Sequence, residues 1–299
     1  MTIQYDPAHI SRFYDQYGER EWDRFDDATT PINKVNYHIH RTYLERYIAS
    51  GDRVLEVGAG AGRFTIDLAR LGATVTVGDI SPGQLALNGE KVRAAGCEGS
   101  VAAREALDVV DLSHYPTDSF DATVCYGGPI SYVFDRADEA VGELVRVTKP
   151  GGHILLSMMS LIGSTGELLP GVVEVAREQG VDAIERVIAT GDVYGNVAAG
   201  GHYCRMYRWS GLQQLLSGQP CTIVAASASN HLSVANEATL QRIVDDAPLW
   251  DAFLRWEEDL CREPGALDGG THIIAVVRKS DGVKHDFVCT ALANVVDSR

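Results

Sequence analysis

The sequence predicts an α/β protein: a doubly wound, mostly parallel seven-stranded sheet with helices on both faces, an N-terminal helical cap and a lid insertion after strand five. Three observations predict it. Short apolar, β-branched runs alternate with helical spacing from Arg53 onward, which is the pattern of parallel strands joined by crossover helices. The first strand runs straight into a glycine-rich turn, VLEVGAGAGRFT (residues 54–65). The alternation breaks after Met159 and resumes near residue 210, leaving room for an insertion.

The elements follow in order. Nine aromatic residues crowd positions 1–50, where two helices are expected, at 7–25 and 33–49. Arg53–Val57 is the first strand, and Ala61–Leu71 is a helix with Phe64, Leu68 and Leu71 at helical spacing. Thr74–Gly78 is a strand ending at Asp79. Ser81-Pro82 supplies an N-cap and a first-turn proline for a helix through Ala95. Ser100–Ala106 and Phe120–Tyr126 are the third and fourth strands. A helix over 139–147 is stopped by Lys149-Pro150-Gly151-Gly152, and a fifth strand occupies 153–158. A helix near 171–189 and the Gly-rich stretch GDVYGNVAAGG fill the insertion. Cys221–Ala228 and Thr271–Arg278 are the last two strands, with helices between them at 237–262. The divisions expected are a cap (1–50), a core (51–159), a lid (160–210), the rest of the sheet (211–279) and a tail (280–299).

Composition narrows the function. The chain has 299 residues, 45% hydrophobic and 22% charged, with a formal net charge of −15. That balance, with no basic run, disfavours nucleic acid, whose binding rests on clustered Lys and Arg. No basic start leads into an apolar core, so no signal peptide is expected, and the longest nearly apolar run is far short of the ~20 residues that span a bilayer. The six cysteines are scattered without a CxxC pair, so reduced thiols in a cytoplasmic protein are expected, with no metal site. A small-molecule substrate, and a monomer or homodimer, fit these bounds.

The glycine loop lies at the carboxyl end of the first strand, where open α/β sheets bind their ligands. A dinucleotide fingerprint would place a glycine where Arg63 stands, and the acid Glu56 precedes the loop. A carboxylate there repels a pyrophosphate and suits a cationic amino-acid group. Asp79 follows 21 residues after Gly58, placed to accept from both hydroxyls of a ribose. Asp108, after the third strand, is placed to accept from an adenine amine, with the Val109 N–H beside it. Together they outline an adenosine with a charged amino-acid tail, as in S-adenosylmethionine.

The motifs VLEVGAGAGRF, VTVGDIS, LDVVDLS, DSFDATVCYGG and LVRVTKPGGHILLS resemble those of class I S-adenosylmethionine-dependent methyltransferases, over about residues 50–160 and again at 205–279. The N-terminal YDQYGEREWDRF resembles a microbial small-molecule branch. The resemblance implies that Glu56, Gly58 and Gly60, with Ala59 between them, line the methionine portion. It implies that Asp79 and Ile80 hold the ribose and adenine, that Asp108 and Val109 hold the adenine edge, and that Tyr126 presents its carbonyl to the cofactor amine. Many relatives carry Asp where Glu56 stands.

Acceptor contacts are expected from Tyr14, Tyr17, Trp22 and His38 on the N-terminal helices. His202 and Tyr207, in GGHYCRMYRW, and Tyr132, past the fourth strand, are the candidates for proton transfer or substrate orientation. The aromatic cap points to a flat acceptor, an indole-type ring or an amine of secondary metabolism, methylated by in-line displacement at carbon, nitrogen or oxygen. Two other functions compete: a non-catalytic cofactor-binding subunit or a fold turned to another reaction, and an NAD(P)-dependent oxidoreductase.

Overall fold

The computed structural model describes residues 4–25, 30–194 and 203–281. Its seven-stranded sheet is built from β1 (Arg53–Val57), β2 (Thr74–Asp79), β3 (Val101–Ala106), β4 (Phe120–Cys125), β5 (Thr148–Met159), β8 (Cys221–Ala228) and β9 (His272–Lys279). A separate two-stranded ribbon pairs β6 (Asp192–Tyr194) with β7 (Tyr203–Arg205). The sheet order is β3-β2-β1-β4-β5-β9-β8. The first five strands are mutually parallel; β9 runs antiparallel between β5 and β8. From β1 the chain winds outward one way through β2 and β3, then returns to lay β4 and β5 on the other side. The strand order therefore reverses between β1 and β4, which opens a crevice above their carboxyl ends.

Strand periodicity decides how the two faces are filled. Side chains alternate across a strand, so Leu55, Val57, Cys125, Ile154, Leu156, Ala275 and Val277 enter one core with α6 (Ala137–Val147) and α10 (Trp209–Ser217). Val54, Val124, Leu155, Ile274 and Val276 enter the other with α3 (Pro31–Tyr47), α4 (Arg63–Arg70) and α12 (Ala247–Cys261). With both faces covered, the central strands are almost wholly apolar.

The remaining helices are α1 (Pro7–Tyr17), α2 (Arg20–Asp23), α5 (Pro82–Ala94), α7 (Leu161–Glu167), α8 (Leu169–Gln179), α9 (Val181–Thr190) and α11 (Glu237–Leu240). Two expected helices are each divided. Gly18 (φ 56°) ends α1 before the single turn of α2. Gly180 (φ 91°, ψ 155°) separates α8 from α9 and is the C-cap of one and the N-cap of the other. A glycine adopts that backbone freely, and the helical hydrogen-bond ladder cannot pass through it. The fifth strand begins at Thr148, ahead of the proline and glycines expected to precede it, because the register shifts between Phe120 and Ala122 and lets β5 pair around them. The tail beyond Asp281 and the segment 195–202, which includes His202, lie outside the described residues.

Candidate functional site

An open cleft, enclosing about 860 Å³ with the solvent at its mouth included, lies over the β1–β4 crevice. Its floor is the Gly58–Gly62 loop, one end is formed by Asp79, Ile80, Leu107 and Val109, and the other by Tyr126, Gly127, Pro129 and Tyr132. Ile10 and Tyr14 of α1, with Glu21 and Phe25, form the cover.

Close approach dictates the loop's glycines. Gly58 has φ 71°, and a Cβ there would stand 2.3 Å from Pro129 Cγ. Any side chain would drive the loop off the turn after β4 and spoil a left-handed backbone. A chain of polar contacts holds the loop from behind. The Thr65 hydroxyl donates to Glu56 (2.5 Å), Asn88 Nδ2 donates to Thr65 (2.9 Å), and Arg104 Nε donates to Asn88 Oδ1 (2.9 Å).

Asp79 is buried at the end of β2. One carboxylate oxygen accepts from Gly60 N and the other from Ser81 N, each at 2.8 Å. Each oxygen retains a lone-pair direction, since a carboxylate has about four acceptor positions. Burial pushes its pKa up to about 6, against the opposing pull of those two N–H groups.

Seven of the nine cofactor residues expected from the sequence meet at the cleft wall: Gly58, Ala59, Gly60, Asp79, Ile80, Val109 and Tyr126. Glu56 and Asp108 stand off it. Glu56 is directed at Thr65, and burial pushes its carboxyl up to about 8. The strand's alternation explains this, because consecutive side chains of β1 leave on opposite faces. Asp108 accepts from the Tyr5 hydroxyl (2.9 Å) and from Val110 N (3.1 Å), so the N-terminal segment already engages this acid.

The expected acceptor and catalytic residues separate more widely. Tyr14 and Tyr132 line the cleft, with the Tyr14 hydroxyl donating to that of Tyr132 at 2.7 Å. Tyr17 is off the wall, stacked on Phe13 at 5.8 Å. Trp22 lies behind it, its ring centroid 3.4 Å from the Arg63 guanidinium, so its contact with the cleft is through Arg63. His38 lies away from the cleft, paired with Glu258 at 2.7 Å. Tyr207 packs against the α6–α10 core rather than lining the cleft. Its backbone is tied to the end of β5, which turns the ring inward.

Sequence reading missed Glu21, Arg24, Phe25 and Phe64. Glu21 and Arg24 form a pair with contacts of 3.0 and 3.1 Å at the cleft. Only their three-residue spacing hinted at it. His40 is buried on α3, and its ring stands 4.8 Å from Tyr126 and 5.6 Å from Phe64. Helical periodicity placed His38 and His40 on different faces without saying which face met the site.

These features fit S-adenosylmethionine. The loop is open to close approach, Asp79 has acceptor capacity where a ribose would lie, and the wall carries two acids, Glu21 and Asp79, against one cation, Arg63. Glu56 adds a buried carboxyl behind the loop. Among the described residues no cluster of His, Cys, Asp and Glu is suited to a metal, and no helix is long and apolar enough to cross a membrane.

Comparison with known proteins agrees with this geometry. Residues 54–152 match the family described as methyltransferase domain. The methyltransferase GfsG of Streptomyces halstedii is 29% identical over 180 residues, covering 55% of this chain and 63% of that protein. A ubiquinone biosynthesis O-methyltransferase of Xanthomonas oryzae pv. oryzae is 34% identical over 143 residues, covering 47% of this chain and 56% of that protein. The chain thus matches less than two thirds of the length of these curated relatives. In fold it is similar to the [4+2]-cyclase SpnF, at TM-score 0.60 and 18% identity, covering 94% of this chain and 99% of that one. It is also similar to the 1,6-didemethyltoxoflavin-N1-methyltransferase of Burkholderia thailandensis, at TM-score 0.54 and 17% identity, covering 92% and 88%. Residues 54–152 therefore form a methyltransferase domain, and with its doubly wound sheet and glycine-loop cleft the chain is similar to class I S-adenosylmethionine-dependent methyltransferases.

Proposed function

We propose that the protein transfers a methyl group from S-adenosylmethionine to a small, flat, aromatic acceptor. The observation that carries this reading is the cleft itself, lined by a glycine loop, by the acids Glu21 and Asp79, and by the rings of Tyr14, Phe25, Phe64, Tyr126 and Tyr132. Aromatic walls suit a planar ring, which stacks or packs edge-on against them.

In this reading Gly58, Ala59 and Gly60 receive the methionine portion, and Asp79 accepts from the ribose hydroxyls. Ile80 and Val109 pack against the adenine, and the backbone at Tyr126 faces the amino group. Glu56 acts from behind the loop as a negative charge. Asp108 serves the adenine edge once the Tyr5 hydroxyl shares or yields it. When bound, the cofactor supplies a methyl group activated on a sulfonium. The chain's task is to align the acceptor in line with it and to exclude water, which in favourable systems is worth about 7–11 kcal/mol. Helices α8 and α9 serve as a lid in this reading. No residue of α8 or α9 is buried, and Leu168, Leu169, Val173, Val181 and Ile188 expose apolar side chains.

A second reading, in which the fold holds the cofactor but performs another reaction, is favoured by the near whole-chain likeness to a cyclase. Calorimetric titration with S-adenosylmethionine and S-adenosylhomocysteine, with NADH as control, tests the shared premise. Micromolar binding of both adenosyl ligands, none of NADH, and methyl transfer to an aromatic alcohol or amine support the proposal. Binding without transfer to any acceptor in such a panel moves the protein to the second reading. Binding of NADH alone removes both.

A further inference from the structure

Helices α8 and α9 carry apolar side chains that nothing in the chain covers. No residue of either helix is buried. Leu169 (53% exposed), Val173, Val181 (65% exposed) and Ile188 are open to solvent. Helices of 11 and 10 residues are marginal by themselves, since isolated helices in water need about 12–15 residues. Their stability has to come from an apolar face set against a further surface.

Helical spacing groups these residues. The chain runs out along α8, turns at Gly180 and returns along α9 to the body. There Met206 N donates to Gly191 O (2.8 Å) and Arg208 Nη2 to Ile188 O (2.7 Å). The two helices pack on each other, and their half-buried positions are Val172, Val175 and Ala176 on α8 and Ala183, Ile184 and Val187 on α9. At 3.6 residues per turn, Leu169 and Val173 stand about a quarter-turn past the first set. Val181 and Ile188 stand about a quarter-turn past the second, in the same sense. In an out-and-back pair this sets all four on one side. Glu178 and Arg186 stand a quarter-turn the other way, on the opposite side. Arg177 lies at the α8 edge of the apolar face and Glu185 at its α9 edge.

We propose that this face receives a second copy of the chain, whose own α8 and α9 lie against it as a four-helix bundle. The edge charges select that occupant. A two-fold axis parallel to the helices lays α9 of one copy over α8 of the other, so Arg177 of each copy meets Glu185 of its neighbour. Counted from Gly180, the two residues lie about 4.5 and 7.5 Å along their helices, a difference that an arginine side chain spans. Glu185 has no ion pair among the described residues, and Arg177 holds only Glu174 at 2.6 Å, an exposed contact of little worth. The net charge of −15 opposes an anionic lipid surface as the alternative. Two helices about 16 Å long and 10 Å wide offer on the order of 300 Å² of face per chain, less than half of the ~800 Å² per partner of a stable complex. The dimer is therefore weak and concentration-dependent. It does not rest on the methyltransferase reading; a lid paired in this way is held by the neighbouring copy as well as by its own chain.

Sedimentation velocity of the full chain, from about 5 to about 500 μM, tests this in the range of weak complexes. The expected result is monomer at the low end and dimer at the high end. Val173→Glu, on the apolar face, and Arg177→Glu, at its edge, should each weaken the dimer about tenfold or more. The double variant Arg177→Glu, Glu185→Arg should restore it, because the swapped charges again meet across the axis. A monomer throughout, a dimer untouched by Val173→Glu, or a charge swap that restores nothing overturns the proposal. If Val173→Glu fails to fold, the charge swap decides alone. Two other occupants would also overturn it. One is the chain's own cleft, shown by a monomer whose α8 and α9 amides exchange more slowly only with S-adenosylhomocysteine bound. The other is lipid, shown by binding to phosphatidylcholine vesicles that Val173→Glu abolishes.

Discussion

At the scale of single residues, the cleft depends on carboxyls held where water is scarce. In the proposed ribose role Asp79 must be ionised to accept from two hydroxyls, yet burial pushes its pKa up to about 6. Affinity for S-adenosylhomocysteine should therefore fall about tenfold per pH unit below 6, the slope of one linked proton. Asp79→Asn should weaken binding about 10- to 100-fold, the value of hydrogen bonds to a charged acceptor. Calorimetry across pH 5–8 checks both, and a flat profile would remove Asp79 from the ribose role. Glu56 presents the opposite case. Burial, and then the charges of Asp67 and Asp79, raise its pKa to about 8, while the Thr65 hydroxyl pulls it down. A raised carboxyl makes the folded state bind its proton more tightly than the unfolded chain does. Its stability contribution is thus complete below the ordinary carboxylate range and declines as pH rises toward 8. A cationic ligand reverses this by drawing the proton off. Cofactor binding at pH 7 should release up to about one proton, read from heats in buffers of different ionisation enthalpy, and Glu56→Gln should release none.

At the scale of elements, α1 is a strap laid across the cleft and clasped to the start of α5. Asp15 Oδ1 accepts from the Ser81 hydroxyl (2.6 Å) and from Gly83 N (2.8 Å). Gln84 Nε2 donates to the carbonyls of Tyr14 and Gly18 at 3.0 and 3.1 Å. Ile10 and Tyr14, carried on the same helix, close the cleft from above. A covered ligand leaves only when the cover lifts, so Asp15→Ala should accelerate S-adenosylhomocysteine dissociation about tenfold, equivalent to roughly 1.4 kcal/mol. Stopped-flow displacement measures it; an unchanged off-rate would mean that the strap does not gate the site. The glycines between elements act here too. Gly18 lets α1 end and the chain turn so that Glu21 and Phe25 reach the same cleft.

At the scale of the whole molecule, the antiparallel strands β8 and β9 complete the sheet, and their connection is anchored by one buried acid. Glu257 of α12 accepts from the backbone N–H groups of His231 (3.1 Å), Leu232 (2.9 Å) and Ser233 (2.7 Å). Glu257→Gln turns one acceptor end into a donor facing donors. It should cost about 3 kcal/mol of stability in chemical denaturation; a loss below about 1 kcal/mol would show that the loop is held by other means. That anchor was not legible in the sequence, where Glu257-Glu258-Asp259 reads as a solvated helix face. The strands and crossover helices from Arg53 to Met159 were legible, because alternation and helical spacing follow from burial on two faces. So were the glycine loop and Asp79, since a close backbone approach and a strand-end carboxylate are local in the chain. Sequence alone therefore determined the fold class, the family resemblance and the glycine loop and strand-end residues that line the cleft. Only the tertiary structure decided that His40 packs behind Tyr126 and Phe64 while His38 pairs with Glu258, that Trp22 backs Arg63, that Tyr207 turns into the core, and that Tyr5 engages Asp108. Each depends on how one helix or loop is rotated against another, and that rotation is set by contacts between residues far apart in the chain.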